Sequence, residues 1–381
     1  MEEFIQELIL QHDLYDADVI VFNHGKIVEK HTISNPNVPI VYEKDAMVRV
    51  ASISKLLVAL SIMQLQERNL LTIDDAIDNY YDYPIRNPYY PEIPITIKMI
   101  LTHTSSLQDT DTLGIPYGES LKELFHPKGK YYTTDMFIVH QDKRVVPGTF
   151  YRYYNTGFQL LAEIIEKLSV ERFDRYIKHH ILDLLEMKGS FNPFDDDIKA
   201  CLKPAYRKIN HTWIPQVDHQ IKPVSYHDYV LGTNGSLFSP QGGLRTNASE
   251  LAKLMHCFMT HSPKIISSDS LNMMMSTHFY VHQSNTTDEF YRNNGLGFNV
   301  MEQSYSNHII EDKAFTLVGH CGIAYGCLGV FFFDPKTNHG LIFITRGHGK
   351  PISAYHGRYS TYFNFQEEML TYVDKHYWRA I

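Results

Sequence analysis

Residues 48–77 read VRVASISKLLVALSIMQLQERNLLTIDDAI, and the rest of the chain is best understood from them. From residue 52 to residue 66 apolar side chains occupy nearly every helical face. That is the pattern of a helix buried all round, not of a surface helix with one apolar stripe. Asn69 is a reasonable stop for it. Ser52-Ile53-Ser54-Lys55 sits at the start of this helix. A Ser and a Lys three residues apart share one helix face, one turn apart. The spacing suits nucleophilic catalysis. The hydroxyl needs a base, and a Lys desolvated by apolar neighbours can lose enough basicity to serve as one. The helix N-terminus adds N–H groups and positive dipole charge where an oxyanion would form. Alone the Ser-x-x-Lys pattern is weak, since chance supplies about one or two in a chain this long. Here it occurs once, and a Lys in a buried helix is costly unless paired or functional.

The 381 residues suffice for one large domain or two ordinary ones. Hydrophobic residues make up 44% and aromatic residues 13%, enough for a sizeable core, which excludes disorder as the overall state. A net charge of −8 without a Lys/Arg-rich block argues against a nucleic-acid or anionic-membrane surface. Cys201, Cys257, Cys321 and Cys327 are too sparse for a disulfide framework and lack zinc-site spacing, which fits reduced thiols. The acidic start, MEEFIQELILQHDLYDAD, lacks the basic and apolar regions of a signal peptide. The longest apolar run, near residues 56–65, is about half of the roughly 20 residues a spanning helix needs. A cytoplasmic protein is expected, or an exported one if a leader has been removed from the chain.

Outward from the buried helix, Phe4, Leu8 and Ile9 mark a short amphipathic helix, and strands are expected over 18–23 and 26–31, turning at His24-Gly25. Residues 76–150 are rich in Tyr, Pro and Asp and poor in strand patterns. Helices are expected over 160–168 and 173–187. Near the C-terminus CLGVFFFD and HGLIFITR flank the turn-rich DPKTN as a long hairpin, and residues 363–377 form an amphipathic helix. The expected fold is α/β. An antiparallel sheet flanked by helices is built from 1–75 and 235–381, with 76–234 as an inserted, mainly helical domain.

No G-x-S-x-G elbow, Walker A loop, post-strand G-x-G-x-x-G or H-E-x-x-H is present. Tyr-x-Asn occurs at Tyr153, Tyr291, Tyr305 and Tyr362, so context must choose among them. Tyr153-Tyr154-Asn155 follows the turn Pro147-Gly148-Thr149-Phe150 and precedes a helix opening at Thr156-Gly157-Phe158, so both Tyr153 and Asn155 can face a cleft. The other three read as surface or packing tyrosines. Gly319-His320-Cys321-Gly322-Ile323 holds the one H-x-G of the chain. Its small residues let a substrate backbone approach, and His320 can carry a proton. His179-His180 reads as a helix-surface pair, since adjacent helical residues point apart. No metal or cofactor is implied.

These three elements, in this order, resemble the serine β-lactamase and penicillin-binding-protein superfamily. Within it the similarity is to the class C β-lactamase-related serine hydrolases, which include DD-peptidases, D-aminopeptidases and esterases. Leu101-Thr102-His103-Thr104-Ser105-Ser106-Leu107 resembles the family's L-T-H-T-S-G-L, Gln241-Gly242-Gly243-Leu244 its G-G-L segment, and Leu71-Thr72-Ile73-Asp74-Asp75 the stretch after its long helix. The resemblance runs collinearly over about residues 15 to 350. It implies Ser52 as acylated nucleophile and Lys55 as its base or the source of its local field. Tyr153 becomes proton shuttle to the leaving group, and Asn155 a ligand of the substrate amide or of Lys55. His320 takes the place of the third-motif cation, with the Ser52 and Ile323 N–H groups as oxyanion hole.

Three departures stand out. His320 replaces the Lys of typical β-lactamases. Tyr154 replaces a small residue. Cys321 and Ile323 stand where carboxylate-recognising members often carry hydroxyls, so Cys321, Gly322 and Ile323 are expected to line the substrate and to favour neutral substrates over free acids. The expected activity is a serine hydrolase of the esterase or D-amino-acid peptidase type. Its substrate is a small ester, amide or short peptide. A β-lactamase or DD-carboxypeptidase, a non-catalytic penicillin-binding or sensing module, and an acyltransferase remain alternatives.

Overall fold

The structure is a computed structural model that describes residues 1–43, 46–222, 224–287, 293–301, 316–358 and 362–379. Helix α1 (Glu2–His12) buries Ile5, Leu8 and Ile9. Strand β1 (Asp16–Asn23) is buried at every position except its last, as a strand covered on both faces must be. Strand β2 (Lys26–Ser34) alternates between exposed and half-buried and forms the sheet edge. The turn between them uses His24 and Gly25 at positive φ, the geometry that a two-residue hairpin favours. Both strands run longer than the sequence pattern indicates.

Helix α2 (Lys55–Glu67) is the expected all-round-buried helix, with every residue from Lys55 to Leu65 buried. A 3-10 turn over Ala51–Ser54 precedes it, so Ser52 lies on that turn and not in the helix proper. Asn69, at φ 57, ends the helix as expected. In the middle of the chain α3 (Gly157–Ser169) matches the expected helix. The helix expected over 173–187 is shorter. It runs over Phe173–Ile177, continues as one wide turn over Lys178–Leu182, and is closed by Glu186 in the left-handed region. This middle region also carries a small antiparallel pair, Tyr206–Ile209 with Thr212–Pro215. Helix α4 (Ala248–Met259) follows the Gln241–Leu244 stretch. A further helix, Ser268–Met275, lies in a stretch where the sequence pattern indicates none.

The last third supplies β3 (Asn293–Asn294), β4 (Asn299–Met301), β5 (Leu317–Ala324), β6 (Cys327–Phe333) and β7 (Gly340–Thr345). With β1 and β2 they form one seven-stranded sheet in the order β2-β1-β7-β6-β5-β4-β3, with antiparallel pairing throughout. The expected β6–β7 hairpin is present. The two ends of the chain meet where β1 pairs with β7, from Asp18 opposite Ile344 to Phe22 opposite Gly340. Alternation along the strands divides the core. Ile20, Phe22, Phe331, Phe333, Ile342 and Ile344 face one cluster, which contains α2 and α3. Val19, Val21, Val330, Phe332, Leu341 and Phe343 face the other, covered by α1 and α5 (Asn364–Val373). Arg346, just past β7, is fully buried. Its backbone N–H donates to Asp16 Oδ1 at 2.7 Å and its Nη2 to Asp18 Oδ1 at 3.2 Å.

Candidate active site

The site begins at a strained backbone position. Ala51 sits at φ 50, a region that costs a residue with a Cβ and persists only where the surroundings enforce it. Three hydrogen bonds support it here. Ser54 Oγ donates to Ala51 O at 2.6 Å and accepts the Leu244 N–H at 3.0 Å, while the Val50 N–H donates to Leu244 O at 2.9 Å. The turn is thereby tied to the Gln241–Leu244 stretch. On its other side runs β5. A Cβ added at Gly322 would lie 2.5 Å from Val50 O, so only glycine lets the strand pass this close. Ser52, between these supports, is half-buried and accessible.

Lys55 points from the first turn of α2 into this gap and is fully buried. Its Nζ lies 2.8 Å from Asn155 Oδ1, 2.7 Å from Gln241 O and 3.1 Å from Ser52 Oγ. The rings of Tyr153 and Phe158 have their centroids 4.8 Å and 5.2 Å from it. Burial pushes the Lys55 pKa down to about 7, against the opposing pull of the Asp109 carboxylate. At neutral pH the uncharged amine is therefore well populated. An uncharged amine has two hydrogens and one lone pair. Asn155 Oδ1 and Gln241 O can only accept, so they take the two hydrogens, and the lone pair is left for Ser52 Oγ.

Tyr153 and Asn155 arrive from the loop before α3, at the junction the sequence context selects. His103, at φ 58, accepts the Tyr154 N–H on Nδ1 at 3.0 Å, which places its own proton on Nε2. Its ring lies 4.5 Å from that of Tyr153. Asp109 accepts from the Asn155 and Thr156 N–H groups, from Asn155 Nδ2 at 2.8 Å and from Thr156 Oγ1 at 2.8 Å. The Tyr153 ring is 6.2 Å from that of His320. His320 is buried, and its Nδ1 donates to Cys321 O at 2.6 Å, so Nε2 is the nitrogen that can accept a proton. Ser52, Lys55, Tyr153, Asn155 and His320 thus lie next to one another.

The reading of Cys321 and Ile323 needs correction. Cys321 packs its side chain into the cluster on the far face of the sheet, beside its cross-strand neighbour Val330. Side chains two residues apart on a strand share a face, so Ile323, 46% exposed, points the same way. Gly322 and His320 hold the face toward Ser52. The thiol and the isoleucine side chain turn away from the face that holds Gly322, His320 and Ser52, so no preference for neutral over acidic substrates follows from them. The β5–β6 turn, Tyr325-Gly326, has both residues at positive φ, as in a two-residue type I′ hairpin. Ala324 and Cys327 are then a hydrogen-bonded pair and Ile323 with Leu328 is not. The Ile323 N–H accordingly points away from β6, toward the open edge of β5, because β4 ends at Asn299 opposite Gly319.

Of the other Tyr-x-Asn matches, Tyr362 is buried in the far-face cluster, edge-on to Phe332 at 5.3 Å. Tyr291 and Tyr305 lie outside the described residues. His179 and His180 both bond the Glu171 carboxylate. The sequence reading left Asp109, His103 and the Gln241 carbonyl without roles. The latter two lie within stretches already noted for their resemblance. Asp109 stands two residues past the first of these, and the one signal for it is that a buried Lys calls for a carboxylate nearby.

The Beta-lactamase family model matches residues 1–360, and the chain belongs to that family. D-alanyl-D-alanine-carboxypeptidase/endopeptidase AmpH of Escherichia coli strain K12 is 24% identical over 192 residues, 49% of this chain and 47% of that protein. Beta-lactamase-like protein 2 of Dictyostelium discoideum is 25% identical over 283 residues, 72% of this chain and 46% of that protein. The chain spans about half the length of these curated relatives. Among solved structures, the octameric penicillin-binding protein homologue from Pyrococcus abyssi superimposes with a TM-score of 0.71 at 20% identity, over 98% of this chain and 76% of that one. D-amino acid amidase from Ochrobactrum anthropi SV3 gives 0.69 at 15% identity, over 98% and 97%. EstCE1, a hydrolase with promiscuous acyltransferase activity, gives 0.68 at 18% identity, over 97% of each chain. These likenesses show the β-lactamase/transpeptidase-type fold. No helix among the described residues is long and apolar enough to cross a membrane.

Proposed function

We propose that this protein is a serine hydrolase that cleaves an ester or amide through an acyl-enzyme on Ser52. The observation that carries the reading is the Lys55 amine, buried, near neutrality, and held between two obligate acceptors with its lone pair toward Ser52 Oγ. Lys55 takes the Ser52 proton as Oγ attacks the substrate carbonyl carbon. The oxyanion is met by the N–H groups of Ser52 and Ile323, each worth about 10²–10³ in rate by analogy with such donors elsewhere. Tyr153 passes the proton to the leaving nitrogen or oxygen, which departs as amine or alcohol. Water then attacks the Ser52 ester, its proton returns through the same groups, and the acid leaves. His320, its ring beside that of Tyr153, stands in the place of the family's third-motif cation. The names of the structural relatives, among them a D-amino acid amidase, a hydrolase with promiscuous acyltransferase activity and a β-lactamase from Mycobacterium bovis, support hydrolysis at an acyl carbon.

The test is hydrolysis of a p-nitrophenyl ester by wild type and Ser52→Ala, with mass mapping of a fluorophosphonate adduct. The expected result is an adduct on Ser52 and loss of turnover in the variant, with folding intact because one small side chain replaces another. Wild-type turnover by Ser52→Ala would overturn the reading.

A further inference from the structure

We infer that Asp109 is a positioning residue of this site: it orients the Asn155 amide so that Oδ1 meets the Lys55 amine, and it fixes the turn that carries Tyr153. The inference rests on the reading of Lys55 as the base. An Asn amide has two ends of nearly equal size, one accepting and one donating. A carboxylate can only accept. Asp109 Oδ2 lies 2.8 Å from Asn155 Nδ2, so the donating end is committed to Asp109 and the accepting end must face Lys55 Nζ, 2.8 Å away. With the amide reversed, a donor would face Lys55. The lone pair would then turn to that donor and away from Ser52 Oγ.

The same carboxylate accepts the Asn155 N–H, the Thr156 N–H at 2.9 Å and the Thr156 hydroxyl at 2.8 Å. These donors belong to Asn155 and Thr156, the last two of the three residues between Tyr153 and the start of α3 at Gly157. Charge-assisted bonds to a carboxylate are about twice as strong as neutral ones, so this turn is held firmly. The carboxylate also acts through space. Its negative charge favours the protonated form of Lys55, while burial favours the neutral one, and the balance lies near neutrality. Asp109 thus has a geometric and an electrostatic effect on the base, and the two can be separated.

The experiment is the pH profile of kcat/KM on a neutral p-nitrophenyl ester for wild type, Asp109→Asn and Asp109→Glu. Lys55 must be uncharged to act, so wild-type activity should rise with pH through about 7. Asp109→Asn removes the charge at constant size. Its plateau should fall by about 10–10³-fold, and its acid limb should move to lower pH by about 0.5–1, because the ammonium form of Lys55 loses a favourable neighbour. Asp109→Glu keeps the charge and displaces it. Its plateau should fall while its limb stays near that of wild type. A purely structural Asp109 would lower the plateau and leave the limb in place in both variants, and that result overturns the inference. So does an unchanged plateau in Asp109→Asn. If Asp109→Asn does not fold, Asp109→Ser, which leaves room for water, takes its place, and loss of fold in both would make Asp109 a folding residue and overturn the inference. A wild-type profile with no limb between pH 6 and 8 would instead bring down the assignment of Lys55 as base.

Discussion

Tyr153 is one of four tyrosines two residues ahead of an asparagine, and surroundings alone distinguish them. Its ring lies over the Lys55 amine and against His103, while Tyr362 is packed in the far-face cluster against Phe332. Tyr153→Phe should slow acylation by about 10²–10⁴, the usual scale for an acid–base group. Tyr362→Phe should leave the acylation rate within about twofold. Stopped-flow acylation of both variants checks this, and a silent Tyr153→Phe beside a slow Tyr362→Phe would reverse the assignment. At this scale the sequence was informative where chemistry resides in a side chain with a rare spacing, as at Ser52 and Lys55. It was silent where a backbone oxygen does the work. Gln241 contributes its carbonyl to Lys55, and any residue type offers a carbonyl. Asp109 was hidden among 43 acidic residues because its partners are brought to it by folding.

At the scale of elements, β5 is the part most closely fitted to the chemistry. It turns the Ile323 N–H away from β6, carries His320, and passes over the turn that bears Ser52 at Gly322. Gly322→Ala would set a methyl group 2.5 Å from Val50 O. Overpacking of this kind costs about 1–3 kcal/mol, and here the strand relieves it by moving off Ser52. kcat/KM should fall by about tenfold or more with the secondary structure kept, as judged by circular dichroism alongside ester hydrolysis. Full activity would show that the strand can be displaced harmlessly. The β6–β7 hairpin was legible because alternation and turn chemistry agree there. The faces of β5 were misread because the motif was assigned by residue type, without the cross-strand partners that decide which side chains turn inward. The helix over Ser268–Met275 was missed because its run SDSLNMMM is short and mostly polar at its start.

The molecule as a whole is held closed by the pairing of its first and last long strands and by Arg346, which sits between Asp16 and Asp18 with no solvent exposure. Removing one partner of a buried ion pair leaves charge without compensation. Arg346→Ala should therefore lower the unfolding free energy by about 3–5 kcal/mol, read from urea melts. Adding Asp16→Asn and Asp18→Asn in that background should restore part of the loss, since nothing charged is then stranded. A variant as stable as wild type would show that the triad contributes nothing to closure. Strand patterns at both termini showed that the ends share a sheet. The strand order was beyond reach, because nothing local in β1 names β7 as its neighbour.

That neighbour relation sets a timetable for the growing polypeptide. Asp18 and its partner Ile344 are 326 residues apart, and a ribosome adding about 5–20 residues per second needs roughly 15–65 s to cover that distance. Throughout this interval the inner edge of β1 has no strand to pair with. Such an edge is an open template for association with other chains. Synthesis of this protein in the cell should therefore depend on something that shields the nascent β1–β2 hairpin until its last strands emerge.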